Sequence, residues 1–502
     1  MTPRSPIIAV VGAGIAGLAA AWELVTGPLG AGQRPPEVHV FDGADRVGGK
    51  LRSTDFAGRT VDVAADAFLA RRPEATGLCH ELGLTGQLVP VGASGASIWA
   101  RGRLRAMPPG LNLGVPTRWW PLARSGILSP AESARVARDL WAPDRRPDID
   151  SADRSVGDIV AGRLGRPVVE RLVDPLVGGI NAGGVDHLSA AAAFPPLMAA
   201  SRQPGSLMRH LRQAAETVPA SSPTASGPLF WSLPDTTAGL ARALAEALTL
   251  RGVTIHLGAP VEALRSGAPT GSGRWRLEFG EGGPETLAAD GVVLAVPAPT
   301  AAVLLAVHAP DAAGLLGTIA YASVAVVTLS IPSGAIDGTL VGTGALVPRT
   351  SVIDGRPALT TGCTSLGRKW PHLGRPGDEL IRVSVGRFGD TRHMDLDDDA
   401  LTAVTVAELG HLIGLRGGPR DALVTRWVGS FPQYDVGHLV KVAAIDRSVR
   451  ALDGLALAGA AYDGVGIPAC IGSGRAAARE VSASVMGAGP DADRRSGSTS
   501  GP

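Results

Sequence analysis

The chain has 502 residues, 45% of them hydrophobic and 19% charged, with a formal net charge of +1. That length exceeds one ordinary core and predicts two or three domains with well-buried interiors. The near-neutral balance excludes nucleic-acid binding driven by bulk charge, and no nucleic-acid partner is expected.

Cys79, Cys363 and Cys470 lie far apart and match no metal or redox spacing. They read as reduced thiols in a cytoplasmic protein, and no metal site is expected. Met1 to Pro6 contains no basic region followed by a small-residue cleavage site, so no signal peptide is expected. No run of about 18 apolar residues free of charge occurs, so no membrane span is expected. Basic residues are almost all arginine; Lys50, Lys369 and Lys441 are the only lysines. A lysine retained against that bias marks a position of interest.

In chain order, Ile7 to Val11 has the profile of a buried parallel strand. Gly12-Ala13-Gly14-Ile15-Ala16-Gly17 follows, then a helical pattern from Leu18 to Val25, a Gly/Pro stretch, and a second strand, Val38 to Asp42. From about Trp99 to Arg212 the texture changes to helical segments, such as Pro130–Leu140 and Ser155–Leu164, alternating with loops. Pro219 to Pro228 reads as a flexible loop. Val253–Leu257, Arg274–Phe279 and Gly291–Val296 read as strands. Tyr321–Ile331 and Leu380–Phe388 are β-rich and fit a mixed sheet in a second domain. Leu455–Ala460 is a further buried strand, and Gly472–Met486 a helix. No internal repeat is present.

A glycine-rich turn alone is weak evidence in a chain with 67 glycines. Here it stands between strand and helix, with an acid at the end of the next strand, which is the dinucleotide-binding context. Gly12 permits the tight turn, Gly14 lets the backbone approach a diphosphate, and Gly17 allows close helix packing. The helix N-terminus offers free N–H groups to phosphate. Asp42 would hold a ribose hydroxyl.

A second glycine pair, in Asp45-Arg46-Val47-Gly48-Gly49-Lys50, suits FAD, whose flavin end runs past the first βαβ unit. Lys50 would stand near the diphosphate or the flavin. The run Leu457 to Pro468 then leads a buried strand through a glycine-rich turn into a helix. That helix would aim its N-terminus at the flavin edge where negative charge collects on reduction.

With these pieces in place, the sequence resembles the porphyrinogen oxidase family of flavoproteins, from about Ile7 to about Val485. The likeness is greatest to its bacterial, soluble coproporphyrinogen III-oxidising members. It rests on Gly12–Gly17, Asp45–Lys50, Phe68-Leu69-Ala70-Arg71-Arg72, Asp174–Ile180, Lys369-Trp370-Pro371-His372, Thr425-Arg426-Trp427, Pro432–His438, and Gly464–Pro468 with Cys470.

The resemblance implies an α/β fold. A Rossmann-like FAD domain of amine-oxidase type would span 1–97, 230–300 and 420–486. A mainly helical insertion would span 98–229 and a mixed-sheet substrate domain 301–419, with a disordered tail at 487–502. It implies FAD contacts from Ala64, Ala65, Asp66 and Ala67, from Val261 at the adenine end, and from Trp427, Val465, Gly466 and Ile467 around the flavin. Arg72, and with it Arg71, would face a substrate propionate. The chain departs from the family pattern at Ala64-Ala65, at Ala469, and at Asn181-Ala182-Gly183-Gly184, where the family usually has Tyr-Ala-Gly-Asp.

The implied reaction is oxidation of a porphyrinogen to a porphyrin in heme biosynthesis, by hydride transfer to flavin N5 with O2 as acceptor and H2O2 as product. No catalytic acid–base pair is required, because the cofactor carries the difficult chemistry. Coproporphyrinogen carries four propionates and protoporphyrinogen two; the choice between them rests on the resemblance. An amine oxidase or carotenoid desaturase shares the N-terminal pattern, and a carrier protein that has lost FAD is a non-enzymatic alternative. A ferrochelatase is the expected transient partner by pathway logic. Leu111–Leu128, with Trp119 and Trp120, reads as a packing segment rather than a membrane contact.

Overall fold

The computed structural model describes residues 4–28, 34–93, 95–142, 153–216, 227–267, 273–337 and 340–487. The expected disordered tail and most of the Pro219–Pro228 loop lie outside these residues.

Five short apolar strands form an all-parallel sheet. Its order is Thr254–His256, Glu37–Phe41, Ile7–Val11, Gly291–Leu294 and Leu455–Leu457. Ile8, Ala9 and Val10 are fully buried because both faces are covered, which explains the continuous apolar run. One face carries the helices Ile15–Thr26, Thr236–Leu250 and Ile467–Met486. The other carries an antiparallel meander, Val261–Ser266, Trp275–Phe279 and Thr286–Ala289, with the helix Ala298–Leu305.

The helix Ile467–Met486 begins five residues before the expected Gly472. Pro468 does not end the turn; it occupies the first helical turn, where its missing N–H removes no hydrogen bond.

A seven-stranded mixed sheet forms the second layer, in the order Asp421–Pro432, Tyr321–Pro332, Asp378–Val385, Thr360–Ser365, Gly344–Leu346, Ser97–Ala100, Arg103–Ala106. Its pairs are antiparallel except Gly344–Leu346 with Ser97–Ala100. Ser97–Ala106 falls mostly within the stretch expected to be helical, and Asp421–Pro432 within the stretch assigned to the FAD domain. Ser97–Ala100 and Arg103–Ala106 form a local hairpin, but its docking on Gly344–Leu346, like that of Asp421–Pro432 on Tyr321–Pro332, joins segments distant in sequence. The strand Asp378–Val385 stops three residues short of the expected Phe388, because Gly386 turns the chain at φ +86°.

Helices between Trp119 and Glu216 pack into a separate apolar cluster. Trp119 joins it and donates its indole N–H to Ser133 O at 2.8 Å, whereas Trp120 is 60% exposed under Arg124. Val169–Gly178 is a π-helix containing Pro175. A wider hydrogen-bond register accommodates a proline that an α-helix interior would reject, and π segments concentrate at functional sites.

Candidate functional site

The first glycine loop is shaped by close packing. A Cβ on Gly12, at φ +111°, would lie 2.5 Å from Ala295 O, and one on Gly17 would lie 1.8 Å from Gly12 O. Gly14 differs: a Cβ there would meet only Gly49 Cα, at 4.0 Å. Packing demands glycine at positions 12 and 17, whereas Gly14 keeps open the space in front of the loop. Ala13 O accepts the Gly48 N–H at 2.8 Å, and Gly14 bridges to Gly48. The two glycine loops therefore face one groove together.

Asp42 closes the strand Glu37–Phe41. Its carboxylate accepts the Ala13 N–H at 2.7 Å and the Ala44 N–H at 2.8 Å, which fixes it beside the loop with lone pairs remaining for a hydroxyl. Val261 begins the neighbouring meander, and Ala259 N donates to Asp42 O at 2.9 Å, so Val261 stands at this end of the groove. Arg46 braces the second loop, donating to Gly49 O at 2.8 Å. Lys50 donates to Ser430 O and stands 5.8 Å from the Tyr321 ring centroid. Burial pushes its pKa down.

The helices Ile15–Thr26 and Ile467–Met486 both begin at a glycine cap, Gly14 and Gly466, with no side-chain cap and no acid in the first turn. Both helix N-termini thus present uncapped amide dipoles, a donor set that fits the negative charge of a dinucleotide. A Cβ on Gly466 would meet only Pro468, at 3.8 Å. The turn before it, with Val465, is set by Tyr434, whose hydroxyl donates to Ala460 O at 2.6 Å and accepts the Gly464 N–H at 2.9 Å. His438 stacks on Tyr434 with centroids 4.0 Å apart.

The loop Ala64–Ala67 is held from behind. Trp427 donates its indole N–H to Val63 O at 2.9 Å, Arg382 donates to Ala64 O, and Thr237 Oγ1 donates to Ala65 O at 2.7 Å. Asp66 turns its carboxylate away from the groove, into Lys369 at 2.8 Å, with the Trp370 indole at 3.2 Å and Arg382 at 3.5 Å. Its side chain serves as an anchor for the loop. Asp62 is buried beside it and accepts the Thr237 N–H, with Thr237 Oγ1 at 3.0 Å. A small cavity lies behind the loop, lined by Asp62, Asp66, Ser232, Thr236, Trp370 and His372.

Arg71 and Arg72 follow this loop and are both exposed. Arg72 pairs with Glu74 at 2.6 Å, and Arg71 has no ion-pair partner among the described residues. The expected residues thus fall into three neighbouring groups: the two glycine loops with Asp42 and Val261, the Lys50 and Gly464–Ile467 end, and the 64–72 segment with Trp427.

Arg46, Asp62, Thr237, Arg382 and Tyr321 went unassigned in the sequence reading. Arg46 braces its own loop, but the partners of the other four are distant in sequence, so spacing carries no trace of them. Lysine scarcity did carry a signal: two of the three lysines, Lys50 and Lys369, stand at this site, whereas Lys441 is on the surface near Thr318.

A parallel dinucleotide fold with two glycine loops and two uncapped helix N-termini defines an FAD-dependent oxidoreductase. The chain belongs to the flavin-containing amine oxidoreductase family, whose model matches residues 15–482, and within it to the porphyrinogen oxidase family. It is 35% identical to the coproporphyrinogen III oxidase of Mycobacterium tuberculosis (strain ATCC 25618 / H37Rv), over 95% of this chain and 97% of that one. It is 31% identical to the coproporphyrinogen III oxidase of Bacillus subtilis (strain 168), over 94% and 96%. The protoporphyrinogen oxidase of Bos taurus is 30% identical, over 94% and 98%. Among solved structures, an Exiguobacterium sp. 255-15 protein proposed to be a protoporphyrinogen oxidase superposes with a TM-score of 0.80 at 30% identity, over 95% and 99%. Reduced UDP-galactopyranose mutase shares the fold alone, with a TM-score of 0.68 at 14% identity, over 97% and 96%.

Proposed function

We propose that this protein oxidises coproporphyrinogen III to coproporphyrin III in heme biosynthesis, with O2 as acceptor and H2O2 as product. One observation carries the reading: relatives with that name, from bacteria as different as Bacillus and Mycobacterium, align over nearly the whole of both chains. Bound FAD supplies the two-electron acceptor for each dehydrogenation. Three such oxidations remove six electrons and six protons, and three O2 become three H2O2.

In this reading Gly12, Ala13, Gly14, Ile15, Ala16 and Gly17 cradle the diphosphate with Gly49 and Lys50. Asp42 holds a ribose, and Val261 borders the adenine. Ala64, Ala65, Asp66 and Ala67 offer backbone to the flavin, with Trp427 behind them. Val465, Gly466 and Ile467 place a helix N-terminus at the edge that becomes negative. Arg71 and Arg72 meet substrate carboxylates, where a guanidinium fork suits a propionate. The protein's share of the chemistry is orientation, electrostatics and exclusion of water.

A cytoplasmic location completes the reading, supported by three unpaired buried cysteines. Among the described residues no helix is long and apolar enough to cross a membrane. A ferrochelatase is the proposed recipient of the product.

The test is turnover of purified protein on coproporphyrinogen and on protoporphyrinogen under air, followed by porphyrin fluorescence with O2 and H2O2 measured together. The reading expects faster kcat/KM on coproporphyrinogen and one H2O2 per O2. A preference for protoporphyrinogen transfers the assignment to that substrate, the reading that the Bos taurus relative favours.

A further inference from the structure

Where the chain leaves the π-helix, two arginines from the second layer meet it. Arg387 follows Gly386 at the end of the strand Asp378–Val385. It is only 8% exposed, and it has no hydrogen-bond or ion-pair partner for its guanidinium among the described residues. Arg349 lies beside it, donating to Gly183 O at 3.0 Å and Phe388 O at 3.3 Å, with Asp174 of the π-helix at 3.6 Å.

The other acids here are already engaged. Asp390 pairs with Arg392 at 2.7 Å, and Asp186 with Arg166 at 2.6 Å. Asp174 also accepts the Val185 N–H at 3.4 Å and lies 3.6 Å from Arg349, so its charge is shared between the two arginines. Arg166, Arg349 and Arg392 each have a carboxylate within ion-pair distance; Arg387 has only the longer-range charges of Asp174 and Asp390. A largely buried guanidinium with no hydrogen bond or direct ion pair has donors left for a further anion.

Such an anion has a place to stand. A Cβ on Gly184 would have only the Arg349 guanidinium, at 3.5 Å, and the His187 ring, at 4.0 Å, within reach. The same loop reaches the flavin side: Gln433 donates to Asn181 O at 3.1 Å, and the adjacent Tyr434 sets the Gly464 turn.

We propose that Arg349 and Arg387, across the gap at Gly184, form a carboxylate-binding subsite that takes one propionate of the tetrapyrrole. This rests on the porphyrinogen reading above. Arg387 supplies a guanidinium with no direct ion pair among the described residues. Arg349 orients the subsite by tying the loop 181–184 to the turn after Gly386. A substrate with four carboxylates gains more from such a site than one with two.

The test uses FAD-loaded enzyme and two variants, Arg387→Met and Gly184→Asp, the second placing a tethered acid against Arg349. Fluorescence titration gives the Kd for coproporphyrin and for its tetramethyl ester, and steady-state rates give KM and kcat on coproporphyrinogen. Both variants are expected to raise the coproporphyrin Kd and the KM about tenfold or more. The ester Kd and the FAD content should stay at wild-type values, with kcat changed less than threefold and no fall in the thermal midpoint. Wild-type Kd and KM in both variants would overturn the subsite, as would an equal loss for acid and ester. Should Arg387→Met fail to fold, Gly184→Asp decides alone. The functional reading fails separately: a wild type that turns over no porphyrinogen sinks that reading, while an Arg387-dependent, ester-insensitive coproporphyrin Kd still upholds the subsite.

Discussion

Lys369 Nζ lies 2.8 Å from both carboxylate oxygens of Asp66, joining two segments some 300 residues apart behind the loop Ala64–Ala67. Burial alone would raise the Asp66 pKa. Lys369, Arg382 and the Trp370 indole outweigh it and hold the carboxyl far below the ordinary range. The loop is thereby pinned by its one acid.

Replacing Lys369 by methionine leaves Asp66 buried with Arg382 as its remaining cation. Breaking a buried pair costs roughly 3–5 kcal/mol, and Arg382 offsets part of that. A loss of about 2–3 kcal/mol is expected in denaturant unfolding of the FAD-loaded enzyme, with flavin released more readily on gel filtration. Unchanged stability together with unchanged flavin retention would show that the pair anchors nothing.

The glycine loops separate packing from binding. Gly12→Ala forces a side chain to a positive φ and into Ala295 O, so it is expected to reduce soluble yield. Gly14→Ala meets nothing closer than 4.0 Å, so it should fold normally. Its methyl would stand where the diphosphate approaches, and FAD affinity should fall at least tenfold. The readout is the flavin-to-protein absorbance ratio alongside the far-UV dichroism. Full flavin content in Gly14→Ala would contradict the placement of the cofactor.

The contrast between those two glycines shows what was legible in sequence. Gly12, Gly14, Gly17 and Asp42 lie close together in the chain, and strand, turn and helix follow in a fixed local order. The parallel sheet and the dinucleotide fold could be read there. Trp427, Arg382 and Thr237 converge on residues 63–65 from places up to several hundred residues away. Such contacts depend on how the second layer docks, and nothing in local periodicity records that. Asp66 was expected in a flavin loop on the strength of its neighbours, and the direction of its carboxylate is set by Lys369, 303 residues on. The short hairpin Ser97–Ala100 with Arg103–Ala106 was missed because its alternation is brief and the strand it docks on, Gly344–Leu346, is remote.

Tyr434 holds the C-terminal turn through two hydrogen bonds from one hydroxyl. Phenylalanine would keep the stack on His438 and leave the Gly464 N–H and Ala460 O unpaired. An unsatisfied buried group costs about 1–3 kcal/mol. Tyr434→Phe is therefore expected to destabilise the holoenzyme by about 2 kcal/mol and to weaken FAD several-fold. Equilibrium unfolding and flavin titration of the apoprotein measure the two effects. A loss of stability with no change in FAD affinity would detach the turn from the cofactor.

Asp62 gives the fold a pH dependence of definite sign. Burial lifts its pKa to about 7, with the Asp66 charge adding to the rise and the bonds from Thr237 opposing it. An unfolded aspartate titrates at ~3.9. The native state therefore holds the proton more tightly, and stability falls as pH rises between those values. The penalty is absent below the unfolded value and complete above about 7. At about 1.36 kcal/mol per pH unit, raising the pH from 5 to 7 should cost roughly 2–3 kcal/mol through this group. An amide side chain cannot titrate, so Asp62→Asn should become more stable relative to the wild type by about that amount over the same interval. Asp66 does not blur the comparison: its folded pKa is depressed, so its contribution is lost only in more acidic solution. Urea unfolding of both proteins at several pH values from 5 to 8 makes the measurement, and subtracting the two curves removes the titrations they share. A difference that stays flat across the interval would mean that Asp62 is ionised throughout, with the Thr237 bonds outweighing its burial.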